Sequence, residues 1–363
     1  MKKTHLHFVL ICGVLLLTST FQSCQKDKEV QPPSSESENY DVWILNEGSW
    51  GGNDAEISKL NSTTGEIVNN MFSDINGRGL GDVAQDMIVH GSKIYVSVWN
   101  SNTIEIIDRN SGKSLKQISL GQRGPRYMVG YRDKVYVTCY SKSIVRIDTT
   151  SLSLDAQECL LSGKQPEQIC RIGDKLYVAN CWEYDGGDVV YDSTLSVIDV
   201  NTFSEVEKIT VGTNPMIVGP LINNKLIFSC MGSDYENHLM MLDFNTHDIT
   251  PLNIKVTNFD IDRYNYCCYS YYQNWSTGET QLYRTDLNTL ETTTIDLSEA
   301  KIKSPYAIKV NPLTGNIIIT DANDYSSNGD VACITPSGKL LWKSEAHIGP
   351  SRICFLPHID DIN

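Results

Sequence analysis

The chain has 363 residues, 40% of them hydrophobic, and carries 44 acidic against 30 basic side chains for a formal net charge of −14. That balance argues against nucleic acid as a partner, since phosphate neutralisation needs a basic stripe, and equally against a polyanionic ligand. The excess acid is accounted for mostly by solubility, and the length, which alone would allow two domains, suits a single repeat array.

Residues 1–23 stand apart. Lys2 and Lys3 precede an apolar run from about Leu6 to Leu17, followed by Thr18-Ser-Thr-Phe-Gln-Ser-Cys24. The run falls short of the ~20 apolar residues that span a bilayer, so it reads as an export signal peptide and not as a membrane-spanning anchor. Cys24 stands where a bacterial lipoprotein is cleaved and acylated, and the segment resembles that class of signals; Ser23 fits the pattern, whereas Phe21 and Gln22 depart from it. Gln25-Lys-Asp-Lys-Glu29 resembles the acidic-flanked tag of surface lipoproteins of Bacteroidetes. These resemblances imply lipidation at Cys24 and a lipid-anchored place on the outer membrane at the cell surface, with simple secretion as the alternative. Two or three acyl chains on one cysteine suffice for stable anchoring. Removing residues 1–23 takes away two lysines and no acids, so the mature charge is 28 − 44 = −16. Residues 24–39, ending in Gln31-Pro-Pro-Ser-Ser-Glu-Ser-Glu-Asn39, lack core-forming side chains and read as a flexible tether.

From Tyr40 onward one degenerate pattern of roughly 40–50 residues recurs seven times, the period of a four-stranded propeller blade. Lys93-Ile-Tyr-Val, Lys134-Val-Tyr-Val and Lys175-Leu-Tyr-Val lie 41 and 41 residues apart, and each is a short strand rich in β-branched and aromatic residues. The answering strands end in Ile107-Asp108, Ile147-Asp148 and Ile198-Asp199, followed by polar turns. Inner and second strands are predicted at 84–90 and 93–99, 125–131 and 134–140, 166–172 and 175–180, 215–222 and 225–230, and 305–310 and 316–320. The sixth unit is the weakest match, with Val256 in place of the usual proline and a second strand at 265–270. Unit one begins with a second strand at Tyr40-Asp-Val-Trp-Ile-Leu45, and its missing inner strand is supplied by Pro350-Ser-Arg-Ile-Cys-Phe-Leu356. The prediction is an all-β, seven-bladed β-propeller over residues 40–363, closed by its C-terminal strand.

Antiparallel strands send the loop after each second strand and the link between blades to one face. That face carries Trp50, Trp99, Trp182 and Trp275, together with Tyr140, Tyr184, Tyr191, Tyr235, Tyr271, Tyr272 and Tyr325, in loops predicted at 47–54, 180–193, 230–238, 271–279 and 321–330. Aromatic side chains clustered on surface loops of a rigid scaffold indicate a binding face; the plainer reading is that several fold down as caps between blades. The inter-blade links place Gln85 and Asp86, Arg126 and Tyr127, Glu167 and Gln168, Met216 and Ile217, Tyr306 and Ala307, and Ser351 and Arg352 around the channel mouth. Strict alternation predicts that one of each pair faces the axis. Amide, guanidinium and phenol groups there suit a neutral or mixed-polarity ligand.

Catalytic patterns are absent: the chain has no HExxH, no GxSxG and no Gly-rich phosphate loop after a strand. The mature histidines do not recur at one blade position. Asp321, Asn323, Asp324, Asn328 and Asp330 offer oxygen ligands to calcium, but not at EF-hand spacing, and a turn-rich loop needs no ion. Nine cysteines remain beyond Cys12 and Cys24, an odd number with no CxxC pair, which fits packing better than disulfides. No resident cofactor is expected.

Leu80-Gly-Asp-Val-Ala-Gln-Asp86, Gly124-Pro-Arg-Tyr127, Tyr177-Val-Ala-Asn-Cys-Trp182, Val310-Asn-Pro-Leu-Thr-Gly315, Asp321-Ala-Asn-Asp-Tyr325 and Ser337-Gly-Lys339 together resemble the YncE-like propeller lipoproteins of Bacteroidetes, over essentially the whole mature chain. Within them the chain looks like the BtuG type, which implies capture of cobalamin, a corrinoid, and its transfer to a TonB-dependent outer-membrane transporter. The ligand-binding residues under that reading are Trp50, Gln85, Trp99, Arg126, Tyr127, Tyr140, Gln168, Trp182, Tyr184, Tyr235, Trp275, Tyr306, Tyr325 and Arg352. The competing readings are a non-catalytic propeller that binds a glycan, peptide or protein partner, and a propeller enzyme such as a lyase or lactonase.

Overall fold

The computed structural model describes residues 41–356; the signal peptide, Cys24, the tether and the last residues of the expected domain lie outside them. Strand after strand, the chain lays down seven blades around one axis. Each second strand is buried along most of its length because neighbouring blades cover both of its faces: Ile94–Val98 and Leu176–Asn180 are buried throughout. Outer strands face solvent, and Ser204–Thr210 has no buried residue.

The core is divided by the seams. Val42, Ile44 and Leu60 of blade 1 pack on Ile318, Val331 and Cys333 of blade 7, just as Leu45 and Ile57 pack on Ile94 and Val96 of blade 2. Closure is by the C-terminal strand: Pro350–Leu356 pairs antiparallel with Asp41–Asn46, with Asp41 opposite Leu356 and Leu45 opposite Arg352. At the ends of the third strands, Asp108, Asp148, Asp199 and Asp286 accept backbone N–H groups from the residues that follow, which sets each turn.

The inner strands 125–131, 166–172 and 305–310 and the closing strand appear where the sequence puts them. Other elements differ. The blade 6 second strand is Cys267–Gln273, so Tyr271 and Tyr272 belong to a strand and not to a loop. The blade 5 inner strand starts at Val218, after Pro215. The predicted loop 180–193 is itself a hairpin, Trp182–Asp185 paired with Asp188–Tyr191 and turned by Gly186 and Gly187, both at positive φ. A short helix, Met71–Asn76, joins blade 1 to blade 2. The nine cysteines among the described residues are free, and eight are buried; burial pushes the thiols up, Cys139 and Cys230 to about 12.

Candidate functional site

The mouth owes its chemistry to a repeated irregularity. Register shifts interrupt the inner-strand pairing between Ala84 and Asp86, Pro125 and Met128, Pro166 and Ile169, and Pro305 and Ile308. A bulge sets two residues against one and re-aims side chains, and strict alternation fails in blade 3, where a bulge is present, and also in blades 5 and 1. Arg126 and Tyr127 both line the cavity, as do Met216 and Ile217, and Ser351 and Arg352. In blades 2, 4 and 7 one residue of each pair, Gln85, Gln168 or Tyr306, faces it.

Second-strand hydroxyls occupy the gaps so opened. Thr138 Oγ1 accepts from the Tyr127 N–H at 3.0 Å and donates to the Glu167 carbonyl of the next blade at 2.9 Å. Thr320 Oγ1 does the same between Ala307 N (2.7 Å) and Pro350 O (2.6 Å). Each hydroxyl thus ties a bulge to its neighbour, and the mouth is held as one piece.

The cavity has a volume of about 530 Å³, within the range of small-molecule sites. Arg126 is central to its polar floor. Its guanidinium forms a fork with Glu167, with Nη2–Oε1 at 3.0 Å and Nε–Oε2 at 3.2 Å, and also donates to Gln85 Oε1. The Tyr140 ring lies 4.6 Å from the same guanidinium, and its hydroxyl donates to Glu167. Burial opposes the Arg126 charge, but Glu167, together with Tyr127 and Tyr140, more than offsets this and keeps the guanidinium protonated. Arg352 pairs with the buried Asp86 at 3.1 Å and covers the Tyr127 ring at 4.6 Å. Burial raises the Asp86 carboxyl, and the Arg352 charge works against that rise.

Across the mouth, Tyr306 donates its hydroxyl to Glu47, while its carbonyl accepts from Tyr271 Oη at 2.9 Å and Asn258 Nδ2 at 3.2 Å. Burial raises Glu47 above its ordinary value, outweighing the Tyr306 hydrogen bond and the charges of Arg126 and Arg352.

Aromatic walls rise from this floor. Trp50 lies 5.0 Å from Trp99, which meets Tyr140 edge-on at 6.3 Å. On the other side Trp275 lies 6.2 Å from Tyr325, which stands 5.5 Å from Tyr306. Trp50 and Trp275 remain 72% and 66% exposed, so large apolar area is held ready for a ligand.

The structure brings together Trp50, Gln85, Trp99, Arg126, Tyr127, Tyr140, Gln168, Trp182, Trp275, Tyr306, Tyr325 and Arg352 around one cavity. Tyr184 and Tyr235 stand outside it, exposed, although Tyr184 packs edge-on against Trp182 at 5.2 Å. Sequence reasoning missed Glu47 and Asn258 as parts of the wall, and Tyr271, expected on this face in a loop, lines it from a buried strand position.

Among the described residues, no three His, Cys, Asp or Glu side chains converge as a metal site requires. Both carboxylate oxygens of Asp321 accept backbone N–H groups, from Lys303, Ser304 and Asn323, and the Asp324 carboxylate accepts from Ser326 and Ser327. The carboxylates at the mouth, Glu47, Asp86 and Glu167, are each held by a tyrosine or an arginine.

No family model and no curated protein matches the sequence. Solved β-propellers do. The chain is similar to a quinonprotein alcohol dehydrogenase-like protein of Bacteroides thetaiotaomicron, at 13% identity and TM-score 0.65 over 88% of this chain and 79% of the other. It is similar to a 6-phosphogluconolactonase-like protein of Bacteroides fragilis, at 11% identity and TM-score 0.64 over 89% and 99%. The WD40 domain of Neurospora crassa Pan2 aligns at 10% identity and TM-score 0.58, over 78% and 82%. The molecule is a seven-bladed β-propeller with Bacteroides propellers among its structural neighbours. At these identities the likeness is one of fold, and the neighbours' named activities stay with those proteins.

Proposed function

We propose that the mouth captures a broad, flat ligand of mixed polarity, a corrinoid such as cobalamin, and carries out no chemistry on it. The observation that carries this reading is the pairing of exposed tryptophan walls with a hydrogen-bonding floor in one cavity. A corrin disk has an apolar ring face and an amide-fringed rim; the first suits Trp50, Trp182 and Trp275, the second Gln85, Gln168 and Arg126. In this reading the protein is a Cys24-lipidated surface protein of the outer membrane that passes its ligand to a TonB-dependent transporter, as the sequence resemblance implies.

Calorimetric titration of the soluble domain with cyanocobalamin, beside a carbohydrate panel, tests the proposal. Saturable binding is expected, with at least a hundredfold loss in the Trp182→Ala/Trp275→Ala/Tyr325→Ala variant. Absence of heat with cyanocobalamin, or a variant that binds as well as the parent, overturns it. A second reading, a protein or glycan partner, is favoured by the exposed Tyr184 and Tyr235 beyond the cavity; co-purification with a membrane barrel without corrinoid binding would select it.

A further inference from the structure

A second cavity of about 450 Å³ lies in the seam between blades 1 and 2, at the end of the blades opposite the mouth. Its position follows from the registers: Asp41 pairs with Leu356 at the far end of the closing ladder, and Asp108, next to Arg109, pairs with Lys93 at the same end of blade 2. One wall is the helix Met71–Asn76, the sole α-helix among the described residues. The helix is seated by Asn76, whose Nδ2 donates to the Gly112 carbonyl at 3.0 Å. The fit is tight, for a Cβ on Gly112 would come within 2.6 Å of Ile75 Cδ1.

Arg109 is the feature that needs explaining. It is 7% exposed, and its Nη1 is buried without a partner among the described residues. Arg78, Arg123, Arg126, Arg132, Arg146 and Arg352 all reach carboxylates. The acid nearest in sequence, Asp108, is spent on Ser111 N and Oγ, and Asp41 is paired with Lys59 at 3.0 Å. A buried guanidinium N–H left without an acceptor is a costly feature for a fold to retain. Its side chain lines an open cavity, so the acceptor has room to come from outside.

We propose that this cavity binds a small organic monoanion, a carboxylate with a short apolar tail. The carboxylate accepts from the Arg109 guanidinium, which presents a planar fork of donors suited to it. The tail lies along Trp43, Met71, Ile75 and Leu356. Charge selects the class: Arg109 and Lys59 against Asp41 leave one net positive charge, which matches a monoanion and disfavours a dianion such as hydrogen phosphate. The site is independent of the mouth and does not rest on the corrinoid reading.

The test is calorimetric titration of the full mature chain with sodium hexanoate, against inorganic phosphate and 1-hexanol, with the Met71 methyl resonance followed by NMR. Saturable hexanoate binding that shifts Met71 is expected, with hexanol and phosphate at least tenfold weaker. Arg109→Met should weaken hexanoate at least tenfold yet raise the thermal midpoint, because an unpaired charge has been removed. Should that variant fail to fold, Lys59→Gln, on the exposed side, should still weaken binding several-fold. Cyanocobalamin titrations of these variants separate failure here from failure at the mouth. Unsaturable hexanoate, phosphate binding tighter than hexanoate, or an unchanged affinity in Arg109→Met or Lys59→Gln would overturn the proposal.

Discussion

Deleting residues 350–363 removes the strand that closes the ring, and the structure sets the size of the effect. Ile353 and Leu356 are 5% and 4% exposed; at roughly 1.5–3 kcal/mol for each buried aliphatic side chain, their loss costs about 3–6 kcal/mol. The ladder from Asp41↔Leu356 to Asn46↔Pro350 is lost with them, at roughly 0.5–1.5 kcal/mol net for each hydrogen bond. Asp86 is left buried without Arg352. Set against a typical total of about 5–15 kcal/mol, the sum leaves no stable fold. Urea denaturation followed by tryptophan fluorescence and circular dichroism should therefore show no cooperative transition in the truncated chain, where frayed ends alone would leave one. Ile353→Ala, which keeps the ladder, should retain cooperativity and lose about 2–5 kcal/mol. A truncated chain that unfolds cooperatively within 1 kcal/mol of the parent would refute closure as the source of stability.

The Arg126–Glu167 pair, 14% and 3% exposed at the side chains, should behave as a buried ion pair. Glu167→Ala is expected to cost about 3–5 kcal/mol, and Arg126→Leu/Glu167→Leu less than the two single changes together; urea titration of the four proteins gives the coupling, and additivity within error would count against the pairing. Glu47 supplies a pH test. Burial raises its carboxyl above the ordinary 4.5, so its contribution to stability is full below that value and declines as pH rises through the higher folded value. Glu47→Gln keeps an acceptor for Tyr306 and never ionises, so its melting temperature relative to the parent should climb between pH 4 and pH 8; a flat difference would show that the carboxyl titrates normally.

Most of the scaffold was readable in the chain. Second strands such as Lys134–Cys139 are apolar on both faces, and inner strands such as Pro125–Tyr131 and Pro166–Ile172 open on a proline, so period and punctuation agree. The sixth blade blurred because no proline opens its inner strand, Asn258–Asp262, and the boundary error put Tyr271 in a loop when it is a buried strand residue. The mouth was foreseen by residue but not by geometry, because a bulge depends on the register of two strands and leaves no local signature. Glu47 escaped notice because its partner Tyr306 lies 259 residues away in the chain. Arg109 follows an ordinary turn aspartate, and nothing in that stretch announces an unpaired guanidinium.

Because a blade can offer two consecutive side chains to the axis, as Arg126 and Tyr127, Met216 and Ile217, and Ser351 and Arg352 do, the chemistry lining this cavity is more varied than the sevenfold repeat. Thr138 and Thr320 pin the backbone beneath them, whereas Arg126 and Arg352 are themselves held by Glu167 and Asp86, so exchanging either would strand a buried carboxylate. Change at the mouth is therefore least costly at positions that hold no buried charge, such as Met216 and Ile217, while the architecture stays put.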